Sequence, residues 1–230
     1  MMPRTGLFLL CLLLCTGLAP ECAAQSTTVG EQEIFKSITN RPRLSRGTII
    51  IAGRNLLDPN FSHTVVLITQ YNDLGTTGLV INRPLTMAAK KVFPAINQIT
   101  EDAGRMFMGG PIGFNNLQIL VESSADFQRS EFLTGHIYLI NNSGGFDDLI
   151  KHPQSGMKVK ILAGYAGWGL GQLESEIIRG DWYIWHADSR IVFSKNPETV
   201  WDELIELVSV QWAGYNRGTI SQPLHPDRNM

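Results

Sequence analysis

The sequence predicts an α+β domain built on a mixed, mostly antiparallel sheet with short packing helices, and three observations carry that prediction. Apolar, β-branched runs of strand length outnumber helical patterns and do not alternate with them, unlike the regular order of a doubly wound parallel sheet. No linker, composition shift or internal repeat divides Gly47 to Trp212, so residues 47–212 are expected to form one domain. Near the C-terminus Val200, Trp201, Leu204, Ile205 and Val208 recur at helical spacing, a stripe wide enough to cover a sheet.

In chain order, a polar leader (25–46) ends in Arg41-Pro42-Arg43-Leu44-Ser45-Arg46, a locally positive run without the aromatic partners of a nucleic-acid patch. Gly47 opens Thr48-Ile49-Ile50-Ile51-Ala52, which reads as a buried strand bounded by Gly53. Asp58-Pro59-Asn60 marks a turn before a second strand, Thr64 to Thr69. Asn72-Asp73-Leu74-Gly75 then supplies the turn residues of a hairpin into Gly78-Leu79-Val80-Ile81. Pro84 lacks the amide proton of a continuing ladder and is expected to end pairing after Asn82-Arg83. Thr86 to Ile96 has the pattern of a short helix stopped by Pro94, with Met87, Ala88, Val92 and Phe93 near one face. Further strands are expected at Met106-Phe107-Met108, closed by Gly109-Gly110-Pro111, at Leu117 to Val121 and at Ile137 to Ile140. Gly144-Gly145 precedes a helical patch, Phe146 to Ile150.

Val159 to Ala163 reads as a strand. Leu170, Leu173, Ile177 and Ile178 share a helical face that Gly180 ends at the position of a left-handed C-cap. Trp182 to Trp185 returns as a strand, Asp188-Ser189-Arg190 is a turn, and Ile191-Val192-Phe193 reads as another strand. Asn196 and Pro197 stand as N-cap and first residue of the closing helix, whose Glu198 and Glu203 face water. Residues 213–230, with Pro223 and Pro226, are expected to form a mobile tail.

The first residues bound the biology. Arg4 gives a short positive region, Leu7 to Ala19 an apolar one, and Cys22-Ala23-Ala24 before Gln25 the small residues of a signal-peptidase site, so residues 1–24 read as a secretory signal cut between Ala24 and Gln25. A membrane anchor needs roughly 20 apolar residues, and Pro20-Glu21 interrupts this stretch, so no stable anchor is expected. Glu21 before Cys22 also departs from a lipoprotein site. All three cysteines, Cys11, Cys15 and Cys22, fall inside the signal, which leaves a mature chain without disulfides. A net charge of −2 gives no general attraction to nucleic acid or anionic lipid.

The most informative stretch is Gly164-Tyr165-Ala166-Gly167-Trp168-Gly169-Leu170-Gly171-Gln172-Leu173-Glu174, read as a glycine turn between a strand and a helix. That order also builds phosphate sites, where amide protons and a helix dipole face an anion. The dinucleotide fingerprint fails, because its third glycine would fall at Gln172, and no Walker lysine follows; no cofactor is expected. A helix terminus alone supplies at most ~2 kcal/mol, about thirty-fold in affinity, and Lys158, Lys160 and Arg179 flank the loop without entering it. Two readings stand: a structural corner that Tyr165 and Trp168 lock to the sheet, and a ligand site to which Gln172 and Glu174 contribute. His63, His136, His152, His186 and His225 form no i, i+4 pair and no H-E-x-x-H, so no metal site is expected. No G-x-S-x-G elbow is present.

From Gly47 to Trp201 the order of motifs resembles the YqgE/AlgH family, a bacterial group also represented in plastids. The matching blocks are Asp58-Pro59-Asn60-Phe61 with Thr64-Val65-Val66, Gly78 to Leu85, Gly109-Gly110-Pro111, and Gly164 to Glu174; Trp182 and Trp201 stand where the family commonly carries tryptophan. The resemblance implies an α+β fold whose strands curl into a barrel-like sheet packed by helices. It implies no particular activity, although some members are labelled transcriptional regulators. Tyr71 and Val121 stand where the family often has histidine, and Gly53-Arg54 replaces a proline-containing turn.

The expected function is therefore an exported, non-enzymatic domain that binds a protein or small-molecule ligand. Its candidate surface comprises Asn82, Arg83, Pro84, Gly109, Gly110, Pro111, Tyr165, Gly167, Trp168, Gln172 and Glu174, corners that follow strand candidates and could converge at one end of the sheet. The enzymatic alternative is an envelope hydrolase or transferase using Glu174 with His136 or His186, which must reach one substrate at roughly 3 Å. The regulatory alternative, with residues 1–24 retained, involves no direct DNA contact. A homo-oligomer is compatible with the sequence, since Trp182, Tyr183 and Trp185 on an edge strand would leave an aromatic patch.

Overall fold

A computed structural model of the chain describes residues 42–92, 94, 104–124, 129–153 and 156–219. The expected signal (1–24), residues 25–41 of the leader and residues 220–230 of the tail lie outside the described residues. The elements run β1 (Thr48–Ala52), β2 (Val65–Asn72), β3 (Gly75–Val80), β4 (Pro84–Ala88), α1 (Ala89–Val92), β5 (Arg105–Met108), β6 (Ile112–Glu122), β7 (Glu131–Thr134), β8 (Ile137–Ile140) and α2 (Ser143–Lys151). They continue through β9 (Lys158–Trp168), α3 (Gln172–Arg179), β10 (Trp182–His186), a π-helical turn (Arg190–Ser194) and α4 (Val200–Thr219).

The strands form a ten-stranded sheet in the order β10-β1-β2-β3-β9-β6-β8-β7, with β4 and β5 attached beside β9. It curls into a half-barrel. Every pairing is antiparallel except β5 with β9, where Met106, Phe107 and Met108 run parallel to Ile161, Leu162 and Ala163. Strand β9 organises this layout because it changes neighbours part-way along. Its first half lies between β5 and β6, whereas Ala166, Gly167 and Trp168 pair with Gly78, Thr77 and Thr76 of β3. Gly164 lies between the two regimes with φ +74°, a left-handed conformation that a side chain rarely adopts. An added Cβ there would also lie 2.6 Å from the Gly110 carbonyl oxygen.

The core has two parts. Ile49, Ile51, Leu67, Leu79, Leu162 and Trp182 belong to the larger one, which α4 covers with Val200, Trp201, Leu204, Ile205 and Val208 as the helical stripe requires. Trp201 fixes that helix to the sheet by donating its indole N–H to the Ala52 carbonyl at 2.8 Å. The smaller part packs α1 and α2 against β5, β6 and the first half of β9 through Ala89, Leu149, Met106, Ile119 and Ile161.

Several expectations are corrected. Gly164 to Trp168 is not a turn but the second half of an 11-residue strand; the turn falls at Gly169 to Gly171. Pro84 does not end pairing, because it is the first residue of β4, where its missing amide proton is tolerated, and it pairs with Phe107. Residues 86–88 consequently extend as strand, and the helix expected over Thr86 to Ile96 is reduced to Ala89–Val92 among the described residues. Ile191-Val192-Phe193 forms the π-helical turn, held by Asp188, whose carboxylate accepts from the Ile191 amide at 2.9 Å. Leu170 and Ile178 are 74% and 86% exposed, so the buried face of α3 rests on Leu173 and Ile177. Helix α4 runs to Thr219, into the stretch expected as a tail. Trp182 is fully buried, and Tyr183 and Trp185 pack on the core, so edge strand β10 carries no exposed aromatic patch.

Candidate functional site

The turns expected to form a binding surface do converge, but as a packed junction. The Val80 amide donates to the Gly109 carbonyl (2.8 Å), the Gly109 amide to the Ala163 carbonyl (2.8 Å), and the Met108 amide to the Arg83 carbonyl (2.9 Å). Gly110 lies so close to β9 that an added Cβ would stand 2.2 Å from the Tyr165 carbonyl carbon. Glycine is required there by contact with backbone, which cannot move aside. Both Gly109 and Gly110 are buried, and Pro111 beside them is exposed.

Asn82 and Arg83 work inward. The buried Asn82 amide accepts from Val65 N–H (2.8 Å) and donates to the His63 carbonyl (3.0 Å), which extends the β2–β3 ladder by one side chain. The Arg83 guanidinium donates to the carbonyls of Pro59 (2.9 Å) and Ser62 (3.1 Å). Burial lowers its pKa from the usual arginine value, and Asp58 partly opposes that shift. Together they clamp the loop that carries Phe61. The Phe61 ring stacks on Trp168 at 5.8 Å and meets Trp182 edge-on at 5.7 Å, completing an aromatic triangle with the Trp168–Trp182 contact at 5.8 Å.

Glu176 on α3, a residue absent from the candidate set, holds that triangle. Its Oε2 accepts from the indole N–H groups of both Trp168 and Trp182 at 2.9 Å, and its Oε1 accepts from the Gln172 amide at 2.9 Å. Gln172 in turn accepts from the Gly169 amide at 3.0 Å. The Gln172 amide that a ligand at the glycine corner would use is thus engaged within the protein. The position of Glu176 one helical turn after Gln172, two indoles nearby, was the signal in the sequence.

Glu174 accepts from the Tyr71 hydroxyl at 2.8 Å, and its Oε2 is buried with no hydrogen-bond partner among the described residues. The hydrogen bond to Glu174, then burial and the carboxylate's charge, raise the Tyr71 pKa above its ordinary value, so the phenol stays a donor. His136 lines a pocket with Glu122 and Ser123, and His186 pairs with Thr48 at the end of β1. The described residues hold no group of three or more His, Cys, Asp or Glu suited to a metal, and none of their helices is long and apolar enough to cross a membrane.

The motif blocks that carried the resemblance therefore build one junction, and a family model described as AlgH-like (DUF179) matches residues 49–213. The chain belongs to the AlgH-like family. It is 32% identical over 169 residues to a UPF0301 protein of Chlorobaculum tepidum, covering 70% of this chain and 86% of that one. A UPF0301 protein of Mycobacteroides abscessus is 30% identical over 168 residues, covering 71% and 79%. Among solved structures, protein DIP2367 of Corynebacterium diphtheriae superposes with a TM-score of 0.64 at 22% identity, over 73% of this chain and 88% of that one. The AlgH protein of Pseudomonas aeruginosa gives 0.55 at 26% identity, over 80% and 98%. These relatives form a family of uncharacterised proteins.

This AlgH-like chain also has an open surface that meets the junction at Tyr165. A groove of about 790 Å³ runs between the β2–β3 hairpin and β6 to β8. Of the candidate residues, Tyr165 alone reaches it. Gln70, Asn115 and Asn116 are exposed along it, Gln118 is half-buried, and Thr69 and Thr77 join hydroxyls at 3.0 Å on its floor. On its rim Glu131 is held by Arg46 (2.8 Å) and by the Asn141 amide (2.9 Å), so the lining's charges neutralise each other. No motif announced this groove, because its amides are divided between β2, β6 and the end of β8.

Proposed function

We propose that the chain is an exported, non-enzymatic binding domain whose recognition surface is this polar groove, and that its ligand is neutral and hydrogen-bonding along its length, as a short glycan segment is. One observation carries the reading: the groove is lined by side-chain amides and hydroxyls with mutually neutralised charge. Pockets for drug-sized molecules are mostly apolar; a polar one favours a ligand that is itself polar throughout. Each amide both donates and accepts, which matches neighbouring hydroxyls, and Tyr71 and Tyr165 offer aromatic faces for a sugar ring. Export rests on the signal-like residues 1–24.

Isothermal titration with neutral oligosaccharides tests the binding. The expected result is affinity insensitive to salt, weakened by Asn116→Ala and Gln118→Ala, and unchanged by Gln172→Ala at the junction. Salt-sensitive binding, or binding abolished by Gln172→Ala alone, would refute the groove. Cell fractionation with N-terminal sequencing tests export: a mature terminus at Gln25 outside the cytosol is expected, and an intact Met1 in the soluble intracellular fraction would overturn it.

A further inference from the structure

Strand β9 places Lys160 between the apolar residues Val159 and Ile161. Lys160 is 8% exposed, its Nζ donates to the Ile81 carbonyl at 3.0 Å, and it stands 4.2 Å from the centre of the Phe107 ring. A carbonyl and an aromatic face satisfy part of an ammonium's donor capacity without neutralising its charge. None of the ion pairs among the described residues includes Lys160. Isolated buried cations are unfavourable and respond by losing their proton or gaining a counter-ion.

Lys160 also lines an open groove of about 680 Å³, on which no part of the proposed glycan surface falls. Phe107 and Phe193 supply aromatic wall. Arg105 from β5, Lys158 from β9 and Lys195 after the π-helical turn supply positive charge, and Glu198 before α4 supplies negative charge. Lys158 is paired with Glu122 of β6 at 2.9 Å, and Lys195 with Glu203 of α4. Cationic side chains outnumber the acid in this lining, and the buried one has no carboxylate of its own.

We propose that this groove binds a small organic anion, its aromatic or apolar body against Phe107 and Phe193 and its carboxylate or phosphate head drawn to Lys160 and Arg105. The anion supplies the counter-charge that the fold withholds. Burial pushes the Lys160 amine down to about 7, so its charge varies across the neutral range. The protonated amine attracts the anion; affinity therefore falls as pH rises through that value, and binding below it holds the proton in place.

The test uses the full chain and the probes phenyl phosphate, benzoate and inorganic phosphate, titrated by calorimetry at pH 6 and pH 8.5. Either aromatic probe is expected to bind, more than about tenfold more tightly at pH 6 because most of the amine is neutral at the higher pH. Lys160→Met should weaken binding at pH 6 by at least about tenfold, and Lys160→Arg should retain binding while removing the pH dependence. If Lys160→Met fails to fold, Arg105→Gln and the wild-type pH profile carry the same test. The inference is overturned by absence of binding to both aromatic probes, by pH-independent affinity in the wild type, or by inorganic phosphate binding as tightly as phenyl phosphate.

Discussion

Replacing Glu176 by alanine removes the one carboxylate oxygen to which two tryptophans donate. Trp168 is 5% and Trp182 1% exposed, so both indole N–H groups belong to buried side chains and lose their acceptor together. A hydrogen bond to a charged group contributes ~1.5–3 kcal/mol, and a buried donor left unpaired costs a similar amount. With two donors affected, Glu176→Ala is expected to destabilise the fold by about 3–6 kcal/mol, a large share of a typical ~5–15 kcal/mol. At ~2–4 °C per kcal/mol for a domain of this size, the melting temperature should fall by at least about 6 °C. Glu176→Gln keeps an acceptor for both indoles but loses charge assistance and the exposed bond from Gln172, whose amide would meet an NH2, so a smaller loss of about 1–2 kcal/mol is expected. Urea unfolding followed by far-ultraviolet circular dichroism measures both. In a Trp168→Phe background, which lacks the first donor, Glu176→Ala should cost less by about 1.5–3 kcal/mol. A Glu176→Ala protein within about 1 kcal/mol of wild type, or equal losses for alanine and glutamine, would refute this role.

Gly110→Ala forces a Cβ into the β9 backbone and should cost at least about 3 kcal/mol, whereas Gly171→Ala, with φ +73° and nothing within 4 Å, should cost only about 1–2 kcal/mol; equal losses on thermal unfolding would contradict the close approach. Asn82→Ala leaves the Val65 amide and His63 carbonyl without their partner and should cost about 2 kcal/mol, while leaving ligand affinity in the polar groove unchanged by calorimetry. Lys160 has a folded pKa of about 7, below the usual lysine value of 10.5. Between those values the unfolded chain binds the extra proton, so its contribution makes stability rise with pH from about 7 upward and stay flat and low below it. Urea unfolding from pH 6 to 9 should therefore show a wild-type rise that Lys160→Met lacks, and parallel curves would exclude the burial of that charge.

The apolar periodicity made much of the sheet legible. Thr48–Ala52, Ile137–Ile140 and the buried stripe of α4 stand where their patterns put them, because both strands are buried on their two faces and the helix along one. What pattern alone could not supply was long-range pairing. Pro84 starts a strand because β5 lies beside it, and Glu131–Thr134 is a strand because β8 lies beside it, although neither segment has a strong alternation of its own. Gly164 to Trp168 looked like a turn since glycines usually mark one; its glycines instead let a strand bend as its partner changes from β5 to β3. The motif residues were found in the sequence, but the same residue types serve a packed corner or a ligand site. At Asn82, Arg83 and Gln172 the polar atoms face the protein's own backbone and side chains, which favours the packed corner. Lys160 stood in the sequence as one of the basic residues flanking the glycine stretch, and its depth became evident only when β5 brought Phe107 over it.

Native-state hydrogen exchange decides whether the motif blocks are architecture or an open recognition surface. The amides of Val80, Met108 and Gly109, which donate to Gly109, Arg83 and Ala163, should exchange only through global unfolding, with protection matching that of Leu67 in the core of β2. Exchange of these three amides at the rate of an exposed loop would mean that the junction opens in the native protein, and its residues would again be candidates for binding.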